Sequence, residues 1–291
     1  MKVSRDRLTI LAIVIAGIAL LCSTYVWIFA QSNSTGTRTL AAGSLLDTIN
    51  RANVIRGGYG VYPPYTIENL STGKVSGVSI EIIEEIAREL GITAEWRRLN
   101  WNTMGADLKR GEFDFVADPI FETPQRAREF TFTEPYSYFA IGIGVVRKGD
   151  GRFASFQDIN RPGITVAVGQ GFGEDFLVRA RAPKANLNAI PVSQDSATPI
   201  NAVLTGRADI AITNLEDARR FVSAHPDALE TLWADSPPAY VPAGFALRLA
   251  DKIGADFLST SVRSLKGAGI LATIASRYGA TQNLVEPQLP R

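Results

Sequence analysis

The stretch Phe121–Tyr136, "FETPQRAREFTFTEPY", sets an arginine between two apolar segments. Thr123 is a residue type that caps helix N-termini, and Pro124 fits a first helical turn, so we expect a helix to begin here. Arg126 would then lie near the helix N-terminus, where free amides and the helix dipole favour an anion. The alternating phenylalanines that follow predict a short β-strand before the final Pro-Tyr.

The guanidinium of Arg126 can serve a ligand or a neighbouring side chain. Its planar fork is shaped to hold a carboxylate through two parallel hydrogen bonds, which makes it a candidate ligand-binding group. The alternative is a salt bridge to Glu122 or Glu134 of the same stretch. Arg128, two residues further on, is predicted to be solvated.

The composition is that of an ordinary globular protein. The chain has 291 residues, 46% of them hydrophobic, and a formal net charge of +1. This length is sufficient for two lobes with separate cores, and no basic stripe suggests nucleic acid. Cys22 and His225 are the only residues of their types, which excludes a disulfide framework and a Cys/His zinc site. We expect no metal, no cofactor and no catalytic residue.

The N-terminal segment is the strongest localisation signal. Residues 8–30 are uncharged and apolar, long enough to span a bilayer, and follow three basic residues. The basic flank should stay in the cytoplasm, so the remainder is expected in the periplasm, anchored in the inner membrane. A signal peptide cleaved after Ala30 is the alternative. We therefore assign 1–30 as membrane anchor or signal peptide and 31–47 as a linker.

Strand-like and helix-like segments alternate through the rest of the chain. Ser44 and Asp47 predict a capping box at the start of a short helix. The segment "GVSIEIIEEIARELG" predicts a longer helix that ends at Gly91. The apolar face of that helix is predicted to contain Ile82, Ile83, Ile86 and Leu90.

An internal echo suggests two similar halves. The segments 108–119, "LKRGEFDFVADP", and 204–215, "LTGRADIAITNL", both run from a helix end through Gly and Asp into an apolar strand. Ligands of open α/β sheets bind beyond the carboxyl ends of strands. The residues that follow the two strands are therefore candidate ligand contacts, with ordinary loop residues as the alternative. They are Asp118, Pro119, Thr213 and Asn214.

Two further groups can contribute to a ligand site. The glycine turn "GQGFGED" offers the amides of Gly171 and Gly173 at a predicted helix start, although it lacks the pattern of a nucleotide-binding loop. Tyr62 and Trp101 lie in predicted loops, where aromatic rings can enclose the apolar part of a ligand.

Taken in order, these motifs resemble the periplasmic solute-binding proteins of ABC importers, specifically the polar amino-acid family, bacterial extracellular solute-binding family 3. The resemblance covers about 48–280. It implies an α/β, two-lobe clamshell of the periplasmic-binding-protein-like type II, preceded by the transmembrane helix or signal segment. The implied lobes are 48–136 plus 243–291 and 141–238, with chain crossings near 137–140 and 239–243.

The resemblance also implies roles for individual residues. Arg126 would hold the α-carboxylate of the ligand, Tyr62 and Trp101 would form the aromatic pair, and Gly171 and Gly173 would supply amides. The family's aspartate that pairs with the ligand ammonium is replaced here by Asn214.

Two lobe-one positions depart from the family as well. Pro119 and Phe121 stand where a glycine and a Ser/Thr are common. The ammonium site would thus be partly dismantled unless Asp118 points into the cleft and substitutes. Two ligands stay open: a carboxylate without a standard α-ammonium, or an amino acid with rearranged contacts.

The expected function is therefore binding rather than catalysis. The protein would capture a carboxylate-bearing solute, an amino acid or related compound, and deliver it to an ABC permease or another inner-membrane complex. One alternative is a membrane-anchored sensor or accessory subunit. The other is an enzyme similar to cyclohexadienyl dehydratases, which aromatise prephenate or arogenate and would need a buried acid such as Asp118 or Glu174.

Overall fold

The computed structural model describes residues 43–192 and 198–287. Over these residues, no helix has both the length and the apolar character needed to cross a membrane. The predicted anchor at 8–30 and most of the predicted linker lie outside the described part of the chain.

Helices flank the sheet in the order that the sequence predicts. The α-helices are α1 (Leu45–Ala52), α2 (Val78–Leu90), α3 (Met104–Arg110), α4 (Gly173–Arg181), α5 (Thr198–Leu204), α6 (Leu215–Ala224), α7 (Lys252–Gly267) and α8 (Ile270–Arg277). Single turns of 3-10 helix lie at Arg126–Arg128, Phe156–Ile159 and Thr281–Leu284.

Within the described residues, one mixed sheet of ten strands runs through the molecule in the order β4-β1-β5-β12-β7-β10-β8-β9, with β6 beside β12 and β11 beside β7. A separate two-stranded sheet joins β2 and β3. The strands are β1 (Val54–Tyr59), β2 (Ile67–Glu68), β3 (Val75–Ser76), β4 (Thr93–Arg98), β5 (Phe115–Phe121), β6 (Phe130–Phe132), β7 (Ser137–Arg147), β8 (Thr165–Gly169), β9 (Asn186–Ile190), β10 (Ile210–Asn214), β11 (Leu229–Leu232) and β12 (Ala239–Arg248).

The two long strands β7 and β12 join the halves of this sheet. They pair antiparallel where Ser137 faces Ala243 and Ile141 faces Ala239. Beyond that pairing, β12 continues against β5 and β6, which belong to lobe one, whereas β7 continues against β10 and β11, which belong to lobe two. This arrangement is the two-lobe periplasmic-binding-protein-like fold.

The two echoed segments occupy matching places in the two lobes. In lobe one, β5 pairs parallel with β1, and in lobe two, β10 pairs parallel with β8. The aspartate before each strand binds an arginine: Asp114 pairs with Arg56 at 2.9 Å, and Asp209 pairs with Arg152 at 2.9 Å. The echo therefore reflects a repeated β-α-β unit.

Local sequence signals explain where several helices begin and end. The Ser44 hydroxyl accepts a hydrogen bond from the Asp47 amide, which caps α1. Gly91 ends α2 with a positive φ of 66°, a conformation that costs glycine little. Ile82 and its apolar neighbours on α2 are buried, but Leu90 is 48% exposed. The inward placement of Leu90 was wrong, because Leu90 is the last residue of α2, directly before the Gly91 cap, and is largely in contact with solvent.

The predicted helix after Thr123 is only a 3-10 turn. The Thr123 hydroxyl does accept a hydrogen bond from the Arg126 amide at 3.2 Å. However, β6 begins at Phe130, which leaves room for a single turn. Arg126 therefore has no helix dipole beside it, and its anion preference must come from its own charge.

Candidate functional site

Four residues of the site lie at or after the carboxyl ends of parallel strands. Their carboxyl ends lie at the same edge of each lobe, where ligands of α/β sheets bind. Tyr62 follows β1, Arg126 follows β5, Phe172 follows β8, and Asn214 ends β10. These four residues, together with Trp101, Pro119, Ile120 and Phe121, line a cavity of about 40 Å³ between the lobes.

Arg126 lies in this cleft with no acidic partner. Among the described residues it forms no ion pair, so neither Glu122 nor Glu134 binds it. Its Nη1 donates to the Phe121 carbonyl at 3.2 Å. Burial lowers the pKa of Arg126 to about 10, although the negative charge of Glu174 acts in the opposite direction. A carboxylate bound here would relieve the cost of burying this charge.

The ring of Phe172 covers the Arg126 guanidinium. The guanidinium carbon lies 5.1 Å from the ring centroid, which is a cation–π contact between lobe one and lobe two. The remaining space of about 40 Å³ can hold a few water molecules but no amino acid. A ligand must therefore displace the Phe172 ring, either by a rotamer change or by opening of the lobes. No local sequence pattern indicates that this phenylalanine reaches Arg126.

A second, larger cavity adjoins the small one. It has a volume of about 680 Å³ and shares Trp101, Arg126 and Phe172 with the smaller one. It extends between α3 and the loop that precedes α4. A ligand whose carboxylate lies at Arg126 can thus extend its other end into this space.

The two predicted aromatic residues both line the cleft. Tyr62 is buried and stacks on Tyr65 with ring centroids 5.9 Å apart. Its hydroxyl has no hydrogen-bond partner among the described residues. Trp101 packs against Gly60, where a β-carbon would lie only 2.4 Å from the indole. Glycine at position 60 is therefore required for the position of the Trp101 ring.

Asp118 is held away from the cavity by the loop after β1. It is fully buried, and its carboxylate accepts hydrogen bonds from the Gly60 amide at 2.5 Å and from the Thr66 hydroxyl. Burial raises the pKa of Asp118 to about 7 despite these donors. Asp118 thus holds the Tyr62 loop in place and has no oxygen free for a ligand.

The lobe-two candidates are arranged differently from the expectation. Gly171 lines the larger cavity, but its amide donates to the Asp175 carboxylate at 2.9 Å and is therefore already engaged. Gly173 is the first residue of α4 and packs near Phe121. Thr213 is buried beside Asn214 but does not line either cavity.

Asn214 lines the small cavity and caps α6. Its Oδ1 accepts from the Asp217 amide at 2.9 Å, and its Nδ2 donates to the Asp217 carboxylate at 2.9 Å. Both ends of the amide are therefore engaged within lobe two. Pro119 lies inside β5 and contributes its ring to the cavity wall.

Glu174, the other buried acid considered from the sequence, lies near Asn214 but lines neither cavity. It is the second residue of α4, is only 2% exposed, and neither carboxylate oxygen has a hydrogen-bond partner among the described residues. The Asn214 amide lies beside the carboxylate without closing a hydrogen bond of good geometry. Burial raises the pKa of Glu174 to about 7, and the charge of Arg126 acts against this shift.

The described residues contain no cluster of His, Cys, Asp and Glu able to hold a metal ion. The cleft contains a guanidinium without an ion pair among the described residues, and aromatic walls. Such a cleft can bind a small anion.

Comparison with known proteins agrees with this architecture. The family model for bacterial extracellular solute-binding proteins, family 3, matches residues 54–161. A probable amino-acid ABC transporter-binding protein of Haemophilus influenzae is 28% identical over 64% of this chain and 70% of its own length. A cyclohexadienyl dehydratase of Pseudomonas aeruginosa is 26% identical over 64% of this chain and 69% of its own length.

A solved structure shows the same fold. The crystal structure of an ancestral amino acid-binding protein, a precursor of cyclohexadienyl dehydratase, superimposes with a TM-score of 0.67 at 24% identity. The superposition covers 81% of this chain and 99% of that one. The motifs, the two-lobe fold and these matches show that the chain is similar to the bacterial extracellular solute-binding proteins, family 3, with the family model matching residues 54–161.

Proposed function

We propose that the protein captures a small carboxylate-bearing solute, an amino acid or a related compound, between its two lobes for an ABC importer. The observation that carries this proposal is Arg126, a partly buried guanidinium in the cleft with no ion pair among the described residues. A carboxylate would replace the Phe172 ring on this group. Because the ligand would contact both lobes, it would favour the closed state.

Binding is tested by thermal shift on the full-length chain. The probes are α-amino acids, each beside the matched carboxylate that lacks the amine. A ligand that binds the native state raises the melting temperature, and its stabilisation is about 2.7 kcal/mol at one hundred times Kd. We expect at least one probe to produce a shift that Arg126→Ala abolishes.

The matched control for this experiment is Arg88→Ala. Arg88 is an exposed arginine on α2 that lines neither cavity, so its loss should leave the shift intact. A shift that survives in Arg126→Ala would contradict the assignment of Arg126 as the carboxylate-binding residue. No shift with any carboxylate would reject the proposed function itself.

We further propose that the protein acts in the periplasm, tethered to the inner membrane through residues 8–30, where it would meet an ABC permease or another membrane complex. The length and apolar character of that segment and its basic flank support the tether. Recovery of the mature protein in the soluble periplasmic fraction, beginning after Ala30, would reject the tether and leave the binding function standing.

A second candidate function is favoured by Glu174. A buried carboxyl group without a hydrogen-bond partner among the described residues is suited to donate a proton to a leaving hydroxyl, while Arg126 holds the side-chain carboxylate of the substrate. With prephenate or arogenate, the hydroxyl would leave as water and the ring carboxylate as CO2, which makes the ring aromatic. Incubation with prephenate tests it, and phenylpyruvate should then form in the wild type but not in Glu174→Gln. Absence of product in the wild type rejects this candidate.

A further inference from the structure

We propose that the ligand is an elongated dianion, whose first carboxylate binds Arg126 and whose second anionic group binds Lys109 and Arg128 in the larger cavity. Between its two anionic ends the ligand would have an apolar middle part. This inference rests on the proposed solute-binding function and deepens it, because it adds a second contact site and names the class of molecule that fits both.

The larger cavity carries an excess of positive charge. Its volume is about 680 Å³, which is sufficient for a molecule of several times the size of a carboxylate group. Within the described part of the chain, four basic side chains line it, and Glu129 is the only acidic one. The basic residues are Lys109, Arg126, Arg128 and Arg248. A ligand that enters this space therefore meets a surface that favours anions.

Two of these cations have no partner within the described chain. Neither Lys109 nor Arg128 forms a salt bridge or a side-chain hydrogen bond to another described residue. Arg248 differs, because it lies 3.7 Å from the Asp114 carboxylate, which offsets its charge. Arg110, the residue after Lys109, is bound by Asp107 on its own helix. Lys109 and Arg128 are therefore the charges in this cavity that remain available to a second anionic group.

Lys109 and Arg128 belong to two elements that face each other. Lys109 lies on α3, and Arg128 lies on the 3-10 turn after β5. Gly105 is four residues before Lys109 and so lies on the same face of α3. A β-carbon at Gly105 would lie 3.4 Å from the Phe130 ring and 3.9 Å from Oε2 of Glu129. This face of α3 is thus directed at the residues that follow Arg128, and both cations border the same space.

The first and second anion contacts are separated by an apolar stretch of the cavity wall. Arg126 shares the small cavity with Trp101, just before α3, whereas Lys109 lies near the other end of this helix. At 1.5 Å per residue, α3 is about 10 Å long. Met104 and Phe130, which are both buried, line the wall between these ends. A ligand that reaches both contacts therefore needs an apolar chain of roughly this length.

Isothermal titration of the full-length chain with matched acids tests this proposal. The probes are three pairs of equal chain length: hexanoate and adipate, octanoate and suberate, decanoate and sebacate. Without a second cation site, the added carboxylate of the diacid would weaken binding, because it would leave water for an apolar wall. We expect suberate and sebacate to bind the wild type more tightly than their monoacids, and the shorter adipate to gain less.

The variants Lys109→Met and Arg128→Gln assign this gain to residues. Each should weaken suberate by roughly 2- to 5-fold, and the double variant by roughly 10-fold, while octanoate binding is unchanged. Lys109→Arg keeps the charge and should retain most of the affinity for suberate. Added salt should weaken suberate more than octanoate, since screening acts on the second contact only in the diacid.

Arg110→Gln is the matched control. Arg110 is exposed on α3 beside Lys109, but it is bound by Asp107 and lines neither cavity. This variant should bind suberate like the wild type. Equal losses for suberate in Arg110→Gln and Lys109→Met would show that only the general charge of lobe one matters, and would overturn the second site.

The failures of the two proposals are distinguishable. If each monoacid binds as tightly as its diacid and both depend on Arg126, the second anion site is overturned while solute binding stands. The same conclusion holds if an α-amino acid produces the Arg126-dependent thermal shift but no diacid binds. If no carboxylate of any kind binds the wild type, the proposed function fails and the second site fails with it.

Discussion

Asp118 and Glu174 are both buried carboxyl groups, and the pKa of each is raised to about 7. Asp118 accepts hydrogen bonds from Gly60 and Thr66, whereas Glu174 accepts none from the described residues. The pKa values are raised to a similar level with and without hydrogen-bond donors, so removal from water has a larger effect on both pKa values than local hydrogen bonds. Asp118 gains a structural role in return, because it fixes the Tyr62 loop. Glu174 gains no such contact, which is typical of a group kept for function.

We expect the contribution of Glu174 to the free energy of unfolding to fall as the pH rises. Its pKa is raised from 4.5 to about 7, so the folded chain keeps a proton that the unfolded chain releases between these values. The stabilisation is fully present below the unfolded pKa and is lost as the pH rises through the folded pKa. Glu174→Gln should remove this part of the slope, worth at most roughly 3 kcal/mol, and should be more stable than the wild type at about pH 8.

Urea unfolding at about pH 5 and about pH 8 measures this change in the free energy of unfolding. Asp118 contributes a slope of the same sign in both proteins and does not affect the difference between them. The exposed Glu89→Gln variant should retain the wild-type slope. An unaltered slope in Glu174→Gln would show that this carboxyl group does not titrate in the expected window.

At the scale of helices and strands, apolar periodicity and helix-end residues predicted the order of the longer elements. The helices and the longer strands from β1 to α3, and those from β8 to α6, follow the predicted alternation, because apolar alternation and terminal glycines are local features. The hairpin of β2 and β3 was not predicted, since two-residue strands have no measurable period. β11 was also missed, because it is a short strand, mostly half-buried, that pairs with β7 alone. The 3-10 turn at Arg126 is short because β6 follows at once.

At the scale of the whole molecule, the C-terminal segment holds the two lobes together. Asn283, on the 3-10 turn at Thr281–Leu284, is buried and donates two hydrogen bonds from its amide. One reaches the Tyr65 hydroxyl of lobe one at 2.8 Å, and the other reaches the Glu216 carboxylate of lobe two at 2.7 Å. Asn283 therefore connects the two lobes without a ligand.

Asn283→Ala should shift the unliganded protein towards the open state. The substitution removes both bonds and leaves the buried Glu216 oxygen without its donor, at a cost of roughly 1–3 kcal/mol to the closed state. We expect a larger radius of gyration in small-angle X-ray scattering without ligand. Ligand affinity should fall in proportion to the loss of the closed population.

Gln282→Ala is the matched control, because Gln282 is the exposed neighbour on the same turn. It should scatter like the wild type. If Asn283→Ala also has the wild-type radius of gyration, the closed state does not depend on this bridge.

The sequence by itself determined the alternation of strands and helices, the repeated β-α-β unit and the positions of Arg126, Tyr62 and Trp101 at strand ends. These features are local, since they follow from periodicity, glycine and the direction of parallel strands. The tertiary structure alone decided that Asp118 is engaged by Gly60 and Thr66, and that Phe172 covers Arg126. It also decided that Glu174 is buried without a hydrogen-bond partner among the described residues. Each of these contacts joins segments far apart in the chain, and their energies depend on burial and distance, which no local pattern records.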